Sequence, residues 1–121
     1  MKKTPVNFTS AEPNPQAPSV TDISAEELAT KTSAVHVIDV RRPDEYTGEL
    51  GHIAGSKLIV LDTIPDHIEE LPKDEPIVFV CLGGGRSTRA AAFALEHGFQ
   101  HVFNLKGGMM RWNELRLKTE R

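Results

Sequence analysis

The sequence has one cysteine, Cys81. A chain with a single thiol builds no internal disulfide framework and no zinc site of several thiolates. It also has no apolar run near the roughly 18 residues that a membrane-spanning helix requires, so no membrane association is expected. Met1-Lys2-Lys3 could open a signal peptide, but Thr4 to Ser24 holds no apolar core for one. The cytoplasm is therefore the expected compartment. Among the histidines (His36, His52, His67, His97 and His101) there is no convincing metal-ligand spacing. His97 and His101 stand four apart, yet Gly98 between them ends a helix, so they need not share a face. No metal and no cofactor is expected.

Positive charge is short as well. The chain carries a formal net charge of -3, which argues against nucleic acid as a partner. The deficit is uneven: residues 81–121 hold seven basic and three acidic side chains, whereas residues 19–80 hold five and thirteen. Cys81 thus opens the basic third of an acidic protein, where a local field could draw in a small anion. With 121 residues, 39% of them hydrophobic and 26% charged, the chain is expected to form one soluble domain.

Residues 1–18 hold four of the eight prolines and few apolar side chains, and read as a flexible tail before a domain at 19–121. Within the domain, short apolar runs alternate with helical segments. Strands are expected at Val20–Asp22, Val35–Val40, Lys57–Val60, Ile77–Val80 and Val102–Asn104. Ser24 with Glu27 has capping-box spacing for a helix to about Lys31, and Pro43 suits the first turn of a helix to Thr47. Asp62 can cap a helix to about Leu71, Ser87–His97 is helical with Gly98 as its stop, and a last helix covers Met109–Leu117. This alternation gives an α/β fold, a small doubly wound parallel sheet of five strands with helices on both faces.

The chemistry concentrates in Val80-Cys81-Leu82-Gly83-Gly84-Gly85-Arg86-Ser87-Thr88. This loop joins the clearest strand to an Ala-rich helix, at the carboxyl edge where open α/β sheets bind ligands. Gly83, Gly84 and Gly85 allow a tight curl with N–H groups turned inward, the helix start adds unpaired N–H groups, and Arg86 adds a fixed charge. Such surroundings favour a nucleophilic thiolate over a buried inert thiol. A phosphate-binding P-loop is excluded by count: Arg86 replaces the Lys, and Val80 stands where Gly is required. Cysteine phosphatases place five residues between Cys and Arg; here there are four, leaving a cradle too small for a tetrahedral phosphate.

Four segments in order resemble the single-domain rhodaneses, which are sulfurtransferases: Asp39-Val40-Arg41 with Glu45-Tyr46, Gly51-His52-Ile53-Ala54-Gly55-Ser56, Cys81 to Ser87, and Gly107-Gly108-Met109-Met110-Arg111-Trp112. The resemblance spans about Val20 to Leu117 and implies a small doubly wound sheet. It implies that Cys81 takes a sulfur from a small anionic donor such as thiosulfate and holds it as a persulfide. An external thiol, a protein acceptor or cyanide then removes that sulfur. By the same resemblance Leu82, Gly83, Gly84, Gly85, Arg86 and Ser87 form the anion cradle, and Arg86 orients the donor. The resemblance also places Asp39 near the site, with Arg41 beside it, and His52 is expected to fix its loop by hydrogen bonding rather than to act as a base.

The Cys81 loop departs from the family pattern at two positions, Leu82 where Arg is frequent and Gly83 where Ser is frequent, and the His52 loop has Ala54 and Ser56 where Pro and Ala are common. The loss of one charge and one hydroxyl is expected to weaken thiosulfate binding relative to persulfide donors. Asp39, Arg41 and Glu45 are expected to form an ion-pair network that shapes loops, with Arg89 solvated, and Met109, Met110 and Trp112 packing near the last helix. A partner-binding module without catalysis, or a cysteine phosphatase or arsenate reductase, are the competing readings.

Overall fold

Ile77-Val78-Phe79-Val80 is apolar at every position, and all four side chains are buried. A strand covered on both faces requires that pattern. In the computed structural model, which describes residues 2–121, this segment is a central strand of a six-stranded sheet. The elements in chain order are β1 (Glu12–Pro13), β2 (Thr21–Ile23), α1 (Ala25–Ala29), β3 (His36–Asp39), α2 (Pro43–Tyr46), β4 (Lys57–Leu58), α3 (Ile64–His67), β5 (Ile77–Val80), α4 (Gly85–Glu96), β6 (Val102–Leu105) and α5 (Gly108–Glu114). The sheet order is β1-β2-β6-β5-β3-β4, parallel except for β1.

Strand parity divides the core in two. Ile77, Phe79 and Cys81 join Ala90, Ala91 and Ala94 of α4 and Ile64 of α3 on one face. Val78 and Val80 join Leu28, Met109, Trp112 and Phe8 on the other. The expected α/β class with helices on both faces is therefore observed.

The strand count is six where five are expected, because the N-terminal segment contributes an antiparallel edge strand. Residues 2–18 contain no helix, turn at Thr9–Ser10 and again near Pro18, and are hydrogen-bonded to the domain; Met1 lies outside the described residues. Phe8 is buried and meets Phe103 edge to face. Asn14 is buried too, its Oδ1 accepting the N–H groups of Gln16 and Ala17. Glu27 draws in the rest. Its carboxylate accepts from the backbone N–H groups of Thr9 and Ser10 and from Lys31, and these donors, working against burial, hold it below the ordinary carboxylate range. Half of the expected capping box survives: Ser24 Oγ accepts from Glu27 N, but the Ser24 N–H turns to Ser10 Oγ. The proline-rich composition limits regular structure here to the two residues of β1, yet it does not prevent packing.

The continuous helix expected from Asp62 to Leu71 is instead three short turns: 3₁₀ at Leu61–Thr63, α3, and 3₁₀ at Ile68–Glu70. Asp62 caps nothing there, since Thr63 occupies the N-cap of α3 and no side chain bonds it. Helix α4 starts two residues before the expected Ser87, at Gly85, and ends at Glu96, one residue before the expected His97, with left-handed Gly98 (φ 87°) just beyond its cap.

Candidate active site

Cys81 continues the alternation of Ile77 and Phe79, and so its side chain enters the face covered by α4. The sulfur is almost wholly buried. It accepts the Gly84 N–H at 3.0 Å and lies 3.2 Å from Ser87 Oγ. Both groups belong to the start of α4, where the helix dipole concentrates positive potential. The N–H groups of Leu82, Gly83, Gly85 and Arg86 have no backbone acceptor among the described residues. They are unpaired donors of the loop.

Helix α5 sews the loop in place from behind. Met109 N donates to Cys81 O at 2.9 Å, and Met110 N to Leu82 O at 3.0 Å. A Cβ at Gly108 would overlap both of those carbonyl oxygens, so only glycine permits this approach. In the loop itself the three glycines are not equivalent. Gly84 takes φ 110° to aim its N–H at the sulfur, whereas Gly83 and Gly85 have open space where a Cβ would stand. The curl needs one glycine.

Arg86 does not offer a free charge. Its guanidinium grips Glu45 through two hydrogen bonds, at 2.8 and 2.9 Å. That grip, with the charges of Cys81 and Asp39 adding to it, holds Arg86 above its ordinary value and pulls Glu45 down to about 2. The expected network of Asp39, Arg41 and Glu45 divides accordingly. Asp39 and Arg41 pair with each other, both 1% exposed, and Arg41 also donates to Gly51 O and Glu45 O. The Glu45 carboxylate goes to Arg86, 41 residues away.

His52 is fixed rather than poised. Its Nδ1 lies 2.8 Å from Tyr46 O, its ring stacks on Tyr46 at 3.7 Å, and its backbone pairs with Glu120. Leu82 is half-buried, Gly83 and Gly85 are exposed, and Ser87 is fully buried. Arg89 is exposed beside the groove between α3 and α4, Met110 is exposed, and Met109 and Trp112 are core residues. Of the residues singled out in the sequence, the structure gathers Cys81, Gly84, Ser87 and Arg86 at one point. It sets Asp39, Arg41 and His52 into the framework beside them.

A family model described as the rhodanese-like domain matches residues 24–115. The chain belongs to the rhodanese-like family. A thiosulfate sulfurtransferase GlpE of Pseudomonas paraeruginosa is 36% identical over 85 residues, covering 70% of this chain and 76% of that protein. A sulfurtransferase of Allochromatium vinosum is 33% identical over 96 residues, covering 77% and 88%. Among solved structures, a rhodanese-like domain protein of Staphylococcus aureus superposes with a TM-score of 0.71 at 33% identity, over 83% of this chain and 98% of that one.

Sequence reasoning missed several residues of this rhodanese-like site. Asp22 of β2, Asn104 of β6 and Asn14 of the N-terminal segment are buried polar groups that hydrogen-bond one another or Thr88 and Ser87 at the start of α4. A signal for two of them was present: Asp22 and Asn104 interrupt apolar strands at positions that turn out to be paired in register. Buried polar residues inside a parallel sheet require partners. Asn14 gave no such signal, because nothing local marks it.

Proposed function

We propose that this protein is a sulfurtransferase that carries sulfur as a persulfide on Cys81. The observation that carries the reading is the setting of the sulfur: a Gly84 N–H at 3.0 Å, Ser87 at 3.2 Å, the start of α4, and open N–H donors beyond. In the first half-reaction the Cys81 thiolate attacks the outer sulfur of a donor such as thiosulfate. The S–S bond of the donor breaks, and its electron pair leaves with sulfite. The persulfide anion then extends toward the open N–H groups, which stabilise charge there without reorganisation. In the second half-reaction cyanide or a thiolate attacks the outer sulfur, and the Cys81 thiolate is restored. This is covalent catalysis in two steps.

The donor preference follows from charge. Arg86 is neutralised by Glu45, and Leu82 supplies no cation at the mouth. A doubly charged donor gains little here, so persulfides are the better donors in this reading. Replacing Leu82 with Arg should lower the KM for thiosulfate by about threefold, the effect of one partly exposed charge. An unchanged KM would count against the charge argument.

The test of the function itself is intact mass after incubation with thiosulfate or a small persulfide, for wild type and Cys81→Ser. The expected result is one added sulfur on wild type only, released by cyanide. If wild type takes up no sulfur from either donor, a non-catalytic partner-binding role replaces this reading. Hydrolysis of an aryl phosphate would replace it with a phosphatase.

A further inference from the structure

A closed ring of hydrogen bonds runs from Cys81 into the N-terminal segment and back. Ser87 Oγ stands 3.2 Å from Cys81 Sγ and also donates to Asn104 Oδ1. Asn104 Nδ2 donates to Asp22 Oδ1 at 3.0 Å, which accepts Asn14 Nδ2 as well at 2.9 Å. Asn14 Nδ2 reaches Thr88 Oγ1 at 3.0 Å, and Thr88 Oγ1 donates to Gly84 O. The Gly84 N–H closes the ring on the sulfur. Every side chain in it is buried.

The direction of these bonds is determined. Asn14 Oδ1 is occupied by two backbone N–H groups, so its Nδ2 must face Asp22 and Thr88. The Asp22 carboxylate accepts, so Asn104 turns its Nδ2 to Asp22 and its Oδ1 to Ser87. Ser87 has one hydroxyl hydrogen and two acceptors within reach, Asn104 Oδ1 and Cys81 Sγ. Asn104 Oδ1 can only accept and has no other side-chain donor among the described residues, whereas the thiol can give its own hydrogen to Ser87 Oγ, so the hydroxyl hydrogen goes to Asn104.

We propose that Asn104, oriented by Asp22 and Asn14, is a positioning residue for Cys81: it draws the Ser87 hydrogen off the sulfur and leaves the thiolate uncapped by that hydroxyl. When the sulfur is protonated, its S–H donates to Ser87 Oγ instead. The consequence for sulfur transfer rests on the function proposed above; the effect on the thiol does not. The charged groups around the sulfur are Arg86 with Glu45, Asp39 with Arg41, and Asp22 with Lys106 beyond it. Asn104→Ala alters none of them.

The experiment is alkylation of Cys81 by iodoacetamide across pH, in wild type, Asn104→Ala and Asp22→Ala, with melting curves to establish folding. Asn104→Ala frees the Ser87 hydrogen for the sulfur with no change of charge, and Asp22→Ala lets Asn104 turn away while also removing a negative charge, so Asn104→Ala is the variant that isolates the ring. The midpoint should fall by about one pH unit, as one hydrogen bond to a charged group gives. The plateau rate should fall by about threefold, because a stabilised thiolate is less nucleophilic. In a Ser87→Ala background the Asn104→Ala shift should vanish. Glu12→Ala, an exposed ion-pair residue of the same segment, should change nothing.

A merely structural role would loosen the loop, take the Gly84 N–H off the sulfur and move the midpoint up. That result, or no shift, overturns the proposal. Should both variants fail to fold, the S–H Raman band of wild type decides, since the single cysteine makes it unambiguous: a lowered, hydrogen-bonded frequency is expected and a free-thiol frequency overturns the proposal. Sulfur uptake by wild type is measured separately. Absent uptake with the shift present removes the enzyme reading alone; uptake with no shift removes the ring.

Discussion

Two arginine–carboxylate pairs stand beside Cys81 and differ in depth. Asp39–Arg41 is 1% exposed on both sides, whereas the side chains of Arg86 and Glu45 are 32% and 17% exposed. The deep pair spends its donors on architecture: the Arg41 side chain makes three hydrogen bonds to Asp39 and holds the carbonyl oxygens of Gly51 and Glu45. The shallow pair sets the field at the rim, where Arg86 is coupled to Cys81. Glu45 belongs to both, through its backbone to Arg41 and its carboxylate to Arg86. The same chemical pairing thus builds the frame where water is excluded and tunes charge where water remains.

Breaking the deep pair should have the largest effect. Arg41→Met leaves the Asp39 carboxylate buried without a counter-charge, a change that costs about 3–5 kcal/mol. Urea unfolding would measure it, and a loss below about 1 kcal/mol would mean that Asp39 finds another partner.

The shallow pair should cost little and change function more. Arg86→Met should lower stability by roughly 1 kcal/mol or less while raising the thiosulfate KM, since Glu45 then faces the donor unneutralised. Glu45→Gln should do the opposite and lower that KM by freeing the guanidinium. Equal KM values in the two variants would place their charges out of the donor's reach.

The smallest effect is the acid response. The Arg86 hydrogen bonds depress Glu45 from 4.5 to about 2. A depressed carboxylate contributes stability that is fully present above its unfolded value and is lost as pH falls through its folded value. The contribution of this pair should therefore hold above pH 4.5 and fade toward pH 2. In Arg86→Met that loss should shrink, so the two melting temperatures should converge from pH 5 down to pH 2. Parallel curves would mean that the pair does not control Glu45.

Much of the site was legible because it is local. A strand, a cysteine, a glycine turn and a helix start lie within nine consecutive residues, and the turn at Gly84 follows from its own dihedral preference. What was not legible depends on distance. Glu45 was expected to join Asp39 and Arg41, its neighbours in sequence, yet its carboxylate goes to Arg86 because α2 and the start of α4 meet at the mouth. The first 18 residues read as a flexible tail because proline and polar residues form no regular element of their own. Their order comes from Glu27, Asp22 and the apolar face that receives Phe8.

The sequence by itself determined the α/β order, the position of Cys81 at a strand-to-helix loop, and the glycines that let backbone approach backbone. These depend on short-range sterics and periodicity. Only the tertiary structure decided that Arg86 is already paired, that Asn104 competes for the Ser87 hydrogen, and that Asn14 reaches the loop. A polar side chain has several possible partners, and which one it takes is set by where distant elements come to rest.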